Sequence, residues 1–333
     1  MSDRSLHLVP GELLPPRAPD RRHLLSIREL TRADVERLLA TAHSFALSQG
    51  RDTKKLPTLR GRLVLNVFFE SSTRTSSSFD LAAKRLSADT MSMKASGSSV
   101  EKGESLKDTA LTLSAYDPDV IVIRHPQIGA PHLVARVTEA HVVNAGDGKH
   151  QHPTQALLDL YTIDEALGRL DGVHVAIVGD VLHSRVARSL VQALRLVGAR
   201  VTLVGPPPLI PRGIEAMGCE ISHDIGTIAA ADVVYVLRMQ RERMQEGANY
   251  VPSLREYTAL WGVTPERLRP GQKVMHPGPM NRGVEIDPRV ADAADALIEI
   301  QVRAGLVVRM AVLYDLLTTG PASVRSPEPL EVA

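Results

Sequence analysis

Residues 63–69 form an apolar run that ends in Glu70-Ser71-Ser72-Thr73-Arg74-Thr75, and a helical pattern carrying Phe79, Ala82, Ala83 and Leu86 follows. A Ser/Thr-rich turn between a strand's carboxyl end and a helix start gathers free N–H groups and hydroxyls at one point. That is an anion site, and Arg74 adds a planar cation able to bind bidentately. The alternative is that Ser72 or Thr73 only caps the helix. Arg124 ends the next apolar run, 120–123, and leads into His125-Pro126. Ligands of open α/β sheets lie beyond the carboxyl ends of strands, so Arg124 either projects into the same crevice as Arg74 or stands solvated at a strand end. The polar stretch 144–155 closes on His152-Pro153-Thr154-Gln155, with His152 and Gln155 one turn apart on one helix face.

Further along, residues 173–178 run into Gly179-Asp180 and then His183-Ser184-Arg185. The glycines of a dinucleotide fingerprint are missing, and Arg185 at the helix start suits a carboxylate instead. Residues 233–237 end in Arg238-Met239-Gln240-Arg241-Glu242-Arg243. There Arg238 and Gln240 share a side if the chain stays extended, the alternative being an exposed, charged helix start. The stretch 95–104 is small and polar and reads as a mobile loop; taken alone, its Lys102 is a solvated surface lysine.

Short β-branched runs alternating with amphipathic helical stretches predict an α/β fold of two doubly wound parallel-sheet domains joined by interdomain helices. The runs are 63–69, 120–123, 141–144, 173–178, 201–204, 233–237 and 274–275. A helix over 152–170 opens at Pro153, and a last helix covers about 297–317. Residues 1–22, rich in proline and charge, read as a mobile arm or partner contact, and 321–333 as a tail. The 39 Lys+Arg nearly balance 38 Asp+Glu, so no basic nucleic-acid face is signalled, and 3% aromatics argue against a base-stacking platform. Arginine outnumbers lysine 31 to 8, mostly a matter of composition, the remainder fitting bidentate anion recognition. The single Cys219 forbids an internal disulfide framework and a multi-cysteine zinc site. No apolar run is long enough to span a membrane and no secretory signal is present, so a cytoplasmic enzyme is expected.

Taken together, Ser72-Thr73-Arg74-Thr75, Arg124-His125-Pro126, His152-Pro153-Thr154-Gln155 and His276-Pro277-Gly278-Pro279 resemble, in order and spacing, the aspartate/ornithine carbamoyltransferases over about residues 23–320. The resemblance implies attack of an amine on carbamoyl phosphate, with no cofactor and no metal. It implies that Ser72, Thr73, Thr75, Arg74 and Arg124 hold the phosphate and that Thr75, Arg74 and His152 polarise the carbonyl. Gln155 and the backbone carbonyls of Gly278 and Pro279 would hold the carbamoyl NH₂. It further implies a carbamoyl phosphate domain of 23–152 plus a returning helix 303–320, and an acceptor domain of 153–302. Ser98 and Lys102 would reach a neighbouring subunit's site in a homotrimer; Glu101 departs from the basic residue usual before that lysine. In the family's aspartate enzymes, which make a pyrimidine precursor, the arginine matching Arg185 binds the α-carboxylate. Those matching Arg238 and Gln240 bind the side-chain carboxylate, with Lys102 assisting. Ornithine enzymes carry a Ser-Met-Gly loop and a His-Cys-Leu-Pro motif, both absent here, so the implied acceptor is L-aspartate. Glu70 would bridge to Arg185 and Arg243 on domain closure. Arms like 1–22 further imply a larger assembly with a dihydroorotase-like or regulatory chain. Two rivals remain at this stage, a transcarbamoylase for ornithine or an N-acylated amine and a non-catalytic scaffold.

Overall fold

The computed structural model describes residues 23–50, 54–94, 103–240, 251 and 253–318. The arm 1–22, the tail, Ser98, Lys102 and Arg243 lie outside the described residues. The strands are β1 Leu63–Phe68, β2 Asp89–Lys94, β3 Val120–His125, β4 His141–Asp147, β5 His174–Val178, β6 Arg200–Val204, β7 Glu220–Ser222, β8 Val233–Val236 and β9 Lys273–Met275. The helices are α1 Arg32–Gln49, α2 Thr73–Arg85, α3 Leu106–Ser114, α4 Ala130–Val137, α5 Pro153–Leu167, α6 Arg185–Leu196, α7 Leu254–Trp261, α8 Pro288–Ala291 and α9 Ile298–Thr318.

Two all-parallel sheets result, ordered β2-β1-β3-β4 and β7-β6-β5-β8-β9. Alternation along each strand explains why the central ones are apolar on both faces. Val64 and Phe68 of β1 face one core with α1, α2 and α9, whereas Leu65 and Val67 face another with α3 and α4. In the second sheet Val175 and Ile177 of β5 join that first core, while Ala176 and Val178 pack on the outer side. The inner faces of both sheets therefore share one core, filled by α5, α6 and α9. Residues 153–163 of α5 are all buried, and α9 packs against α1, α2 and α5, so it returns to the first sheet.

All seven runs expected as strands are strands, within a few residues. β2 and β7 were not expected. Both are sheet edges, largely exposed, and carry little of the apolar pattern by which strands are recognised. The helix from Pro153 ends at Leu167, three residues earlier than expected, because Gly168 adopts a left-handed φ of 67° and closes it.

Sheet order places the site. Chain connections leave β1 toward β2 on one side and β3 on the other, and leave β5 toward β6 and β8. Each sheet thus has a switch point, β1/β3 and β5/β8, beyond whose carboxyl ends a crevice opens. Among the described residues no helix is long and apolar enough to cross a membrane.

Candidate active site

A cleft of about 1160 Å³ lies at those two switch points. The end of β1 supplies Glu70 and the turn 71–75, and the end of β3 supplies Arg124. β5 leads through Gly179 to Ser184 and Arg185, β8 leads to Arg238 and Gln240, and β9 leads to His276-Pro277-Gly278-Pro279. Every expected site residue within the described residues lines this one cleft: Ser72, Thr73, Arg74, Thr75, Arg124, His152, Gln155, Arg185, Arg238, Gln240, Gly278, Pro279 and Glu70. The described lining carries six cations, Arg74, Arg124, Lys149, Arg185, Arg238 and Arg309, against one carboxylate, Glu70.

Ser72 caps α2, accepting from the Thr75 N–H at 3.4 Å, and it also lines the cleft, so the two readings of this turn coexist. Arg74 stands one residue into α2, and among the described residues no carboxylate pairs with it. Desolvation, then the charge of Arg238, push its guanidinium below the usual arginine value. Two cations held close at a cost are poised for an anion that would pair with both.

Gly278, at φ +59°, lies directly against that guanidinium, and a Cβ there would collide with the Arg74 Nη1, Cζ and Nη2 atoms. Gly278→Ala is therefore expected to displace Arg74 and lower kcat/KM at least about tenfold while the protein stays folded, checked by steady-state kinetics beside a melting curve. The Gly278-Pro279 peptide bond is cis. His276, buried to 1% exposure, accepts from the Gly278 N–H at Nδ1 (2.8 Å), so its proton sits on Nε2, 3.3 Å from Glu285 Oε1. Glu285 Oε1 also accepts from the Asn281 N–H at 2.6 Å. This pair clamps residues 276–281 from beneath, and burial pushes the His276 pKa down.

Glu70 joins the two sheets. Its Oε2 accepts from Arg185 Nη2 at 2.7 Å and lies 3.3 Å from Arg124 Nε. Arg185, 3% exposed, also donates to the Gly148 carbonyl at 3.1 Å. A Cβ at Gly146 would stand 2.8 Å from Arg185 Nε, so only glycine lets that arginine lie flat. Arg188 ties the same two loops through the Lys149 and Leu182 carbonyls. The expected contact of Glu70 with Arg185 is present, and the one with Arg124 had not been anticipated. Met239 is buried, so Arg238 and Gln240 alternate to the cleft side, and the Gln240 N–H donates to Asp180 Oδ2 at 3.2 Å.

His152 occupies the N-cap position of α5, its backbone N–H on Ser189 Oγ at 2.8 Å. Gln155 donates from Nε2 to Asp159 Oδ1 at 3.0 Å, four residues on. Asp159 was missed from the sequence, although its i, i+4 spacing from Gln155 was visible there. It is fully buried, also accepts from Gln301 and Tyr235, and burial pushes its pKa up to about 7. A folded-state pKa raised above the unfolded 3.8 means that ionising Asp159 costs the fold, most strongly above pH 7. Asp159→Asn is expected to gain thermal stability relative to the parent between pH 5 and pH 8.5, measured by melting curves at the two pH values.

The matching family models are "Aspartate/ornithine carbamoyltransferase, carbamoyl-P binding domain" over residues 22–165 and "Aspartate/ornithine carbamoyltransferase, Asp/Orn binding domain" over 171–316. The chain is 56% identical over 303 residues to the aspartate carbamoyltransferase catalytic subunit of Salinispora arenicola, covering 89% of this chain and 98% of that protein. It is 54% identical over 318 residues to that of Acidothermus cellulolyticus, covering 94% and 98%. Among solved structures it is similar to aspartate transcarbamoylase from Trypanosoma cruzi in complex with N-(phosphonacetyl)-L-aspartic acid, with a TM-score of 0.82, 33% identity and coverage of 92% and 98%. The catalytic subunit of M. jannaschii aspartate transcarbamoylase matches with a TM-score of 0.79, 36% identity and coverage of 89% and 98%.

Proposed function

The chain belongs to the aspartate/ornithine carbamoyltransferase family, and on that premise we propose that it transfers the carbamoyl group of carbamoyl phosphate to the amine of L-aspartate. The products are N-carbamoyl-L-aspartate and phosphate, a step toward pyrimidines. The observation that carries the reading is the convergence, among the described residues, of six cations and one carboxylate on a single cleft at two switch points. A dianionic phosphate and a dicarboxylate together require that balance.

Ser72, Thr73, Arg74, Thr75 and Arg124 hold the phosphate. Arg74, Thr75 and His152 stabilise the oxygen that gains charge as the amine attacks. Gln155 and the carbonyls of Gly278 and Pro279 hold the carbamoyl NH₂. Arg185 takes the α-carboxylate of aspartate, and Arg238 with Gln240 takes the side-chain carboxylate. The neutral amine forms the new C–N bond, the C–O bond to phosphate breaks, and the proton shed by nitrogen goes to the departing phosphate. Fixed cations and N–H donors supply the rate chiefly through electrostatics and orientation. Residues 23–152 with 303–320 form the carbamoyl phosphate domain, and 153–302 the aspartate domain.

The active unit is a cytoplasmic homotrimer in which Ser98 and Lys102 enter the neighbouring subunit's site, and the arm 1–22 contacts a dihydroorotase-like or regulatory chain in a larger particle. The bisubstrate mimic named in the Trypanosoma complex tests the site: it is expected to compete with carbamoyl phosphate and raise the melting temperature of this protein. No shift at saturating mimic contradicts the reading. Native mass spectrometry tests the assembly.

A further inference from the structure

Behind the cleft wall, three elements that line the cleft or lead into it meet at one carboxylate. Gln155 of α5 and Gln301 of α9 both donate from Nε2 to Asp159 Oδ1, at 3.0 and 2.7 Å, and the Tyr235 hydroxyl of β8 donates to Oδ2 at 2.8 Å. Gln301 has only one possible orientation here, since its Oε1 accepts the His276 N–H at 2.9 Å at the start of the loop bearing Gly278 and Pro279. Asp159 and Tyr235 are 0% exposed. Arg309, also buried, faces the carboxylate electrostatically and anchors on Ser78 Oγ at 2.9 Å.

A glutamine amide is nearly symmetric in shape and opposite in polarity at its two ends, so which end meets the ligand depends on what holds the other. Asp159 Oδ1 can only accept while the carboxylate is ionised, and it takes the Gln155 NH₂. The Gln155 carbonyl oxygen is left for the cleft.

We propose that Asp159 is a positioning residue that makes the site selective for a carbamoyl group, by holding Gln155 with its carbonyl oxygen toward the cleft, where it accepts from the substrate NH₂ and gives nothing to a methyl group or an oxygen. This rests on the function proposed above and deepens it from a catalytic assignment to the origin of donor specificity. Without the Asp159 acceptor, the Gln155 amide turns freely and the advantage of an NH₂ over a CH₃ shrinks.

The probe is acetyl phosphate, which replaces that NH₂ with a methyl group. Selectivity is its Ki divided by the KM for carbamoyl phosphate, and inorganic phosphate serves as a control for the phosphate subsite. In Asp159→Ala the selectivity is expected to fall roughly tenfold, about the worth of one buried hydrogen bond, while the Ki for inorganic phosphate stays within about threefold. In Asp159→Asn the remaining Oδ1 still accepts from both glutamines, and the Tyr235 hydroxyl turns to accept from the new NH₂, so selectivity stays within about threefold of the parent. Unchanged selectivity in Asp159→Ala overturns the proposal, as does loss of phosphate affinity in parallel with carbamoyl phosphate. If the alanine variant does not fold, Asp159→Leu, of similar volume and without an acceptor, takes its place with the same two outcomes, and a tenfold loss of selectivity in Asp159→Asn also overturns the proposal. Absence of carbamoyl aspartate from the parent enzyme contradicts the functional reading instead, so the two failures are distinct.

Discussion

Arg74→Met is expected to lower kcat by roughly 10²–10³-fold, the usual cost of removing one preorganised donor from a developing oxyanion. The fold is expected to survive intact. Arg74 has no carboxylate partner among the described residues, and desolvation together with Arg238 already pushes its pKa down. A cation held against that pressure contributes nothing to the resting fold, so its removal leaves the melting temperature unchanged or slightly higher. What the variant loses is ligand response. Carbamoyl phosphate raises the parent's melting temperature, and a much smaller rise is expected in Arg74→Met. A variant that lost activity together with several degrees of stability would show that Arg74 is structural, contrary to this account.

Glu70→Ala is the second large effect. Glu70 is the only carboxylate in the described cleft lining, and it links the end of β1 to Arg185 at the start of α6. Removing it frees Arg185 from the side that fixes its angle, though the Gly148 carbonyl still holds one nitrogen. Aspartate then meets a misdirected arginine and a less closed cleft. We expect the KM for aspartate to rise about tenfold or more and kcat to fall by a similar factor, since small misplacements at a reacting centre are costly. Carbamoyl phosphate affinity is expected to change only a few-fold through Arg124 Nε, 3.3 Å from the same carboxylate. Unchanged aspartate kinetics would remove Glu70 from the acceptor side of the site.

The sequence carried the two sheets because their central strands are apolar on both faces, as in Val175, Ala176, Ile177 and Val178, which divide between inner and outer cores. β2 and β7 were invisible to the same reasoning because edge strands need no such run; β2 reads Asp-Thr-Met-Ser-Met-Lys and faces outward along most of its length. The cleft residues were legible because chemistry at a switch point must sit at or beyond the carboxyl end of a strand, as Arg124 does at the end of β3 and Arg74, Arg185 and Arg238 do after β1, β5 and β8. The supporting hub was not. Asp159 meets Tyr235 and Gln301 across separations of 76 and 142 residues, and no local pattern marks a buried carboxylate shared by three elements. The contact of Glu70 with Arg124 is likewise long-range, whereas Glu285, only nine residues from His276, is hidden because an irregular loop, with no helix or strand period, brings the two together.

The most direct test follows the carbamoyl carbon itself. Carbamoyl phosphate labelled with ¹³C at the carbonyl is incubated with the full chain and either L-aspartate or L-ornithine, and products are read by NMR alongside released phosphate. Labelled N-carbamoyl-L-aspartate is expected one for one with enzyme-dependent phosphate, and none of the ornithine product. Labelled citrulline, or phosphate release with no carbamoylated amine, would contradict it.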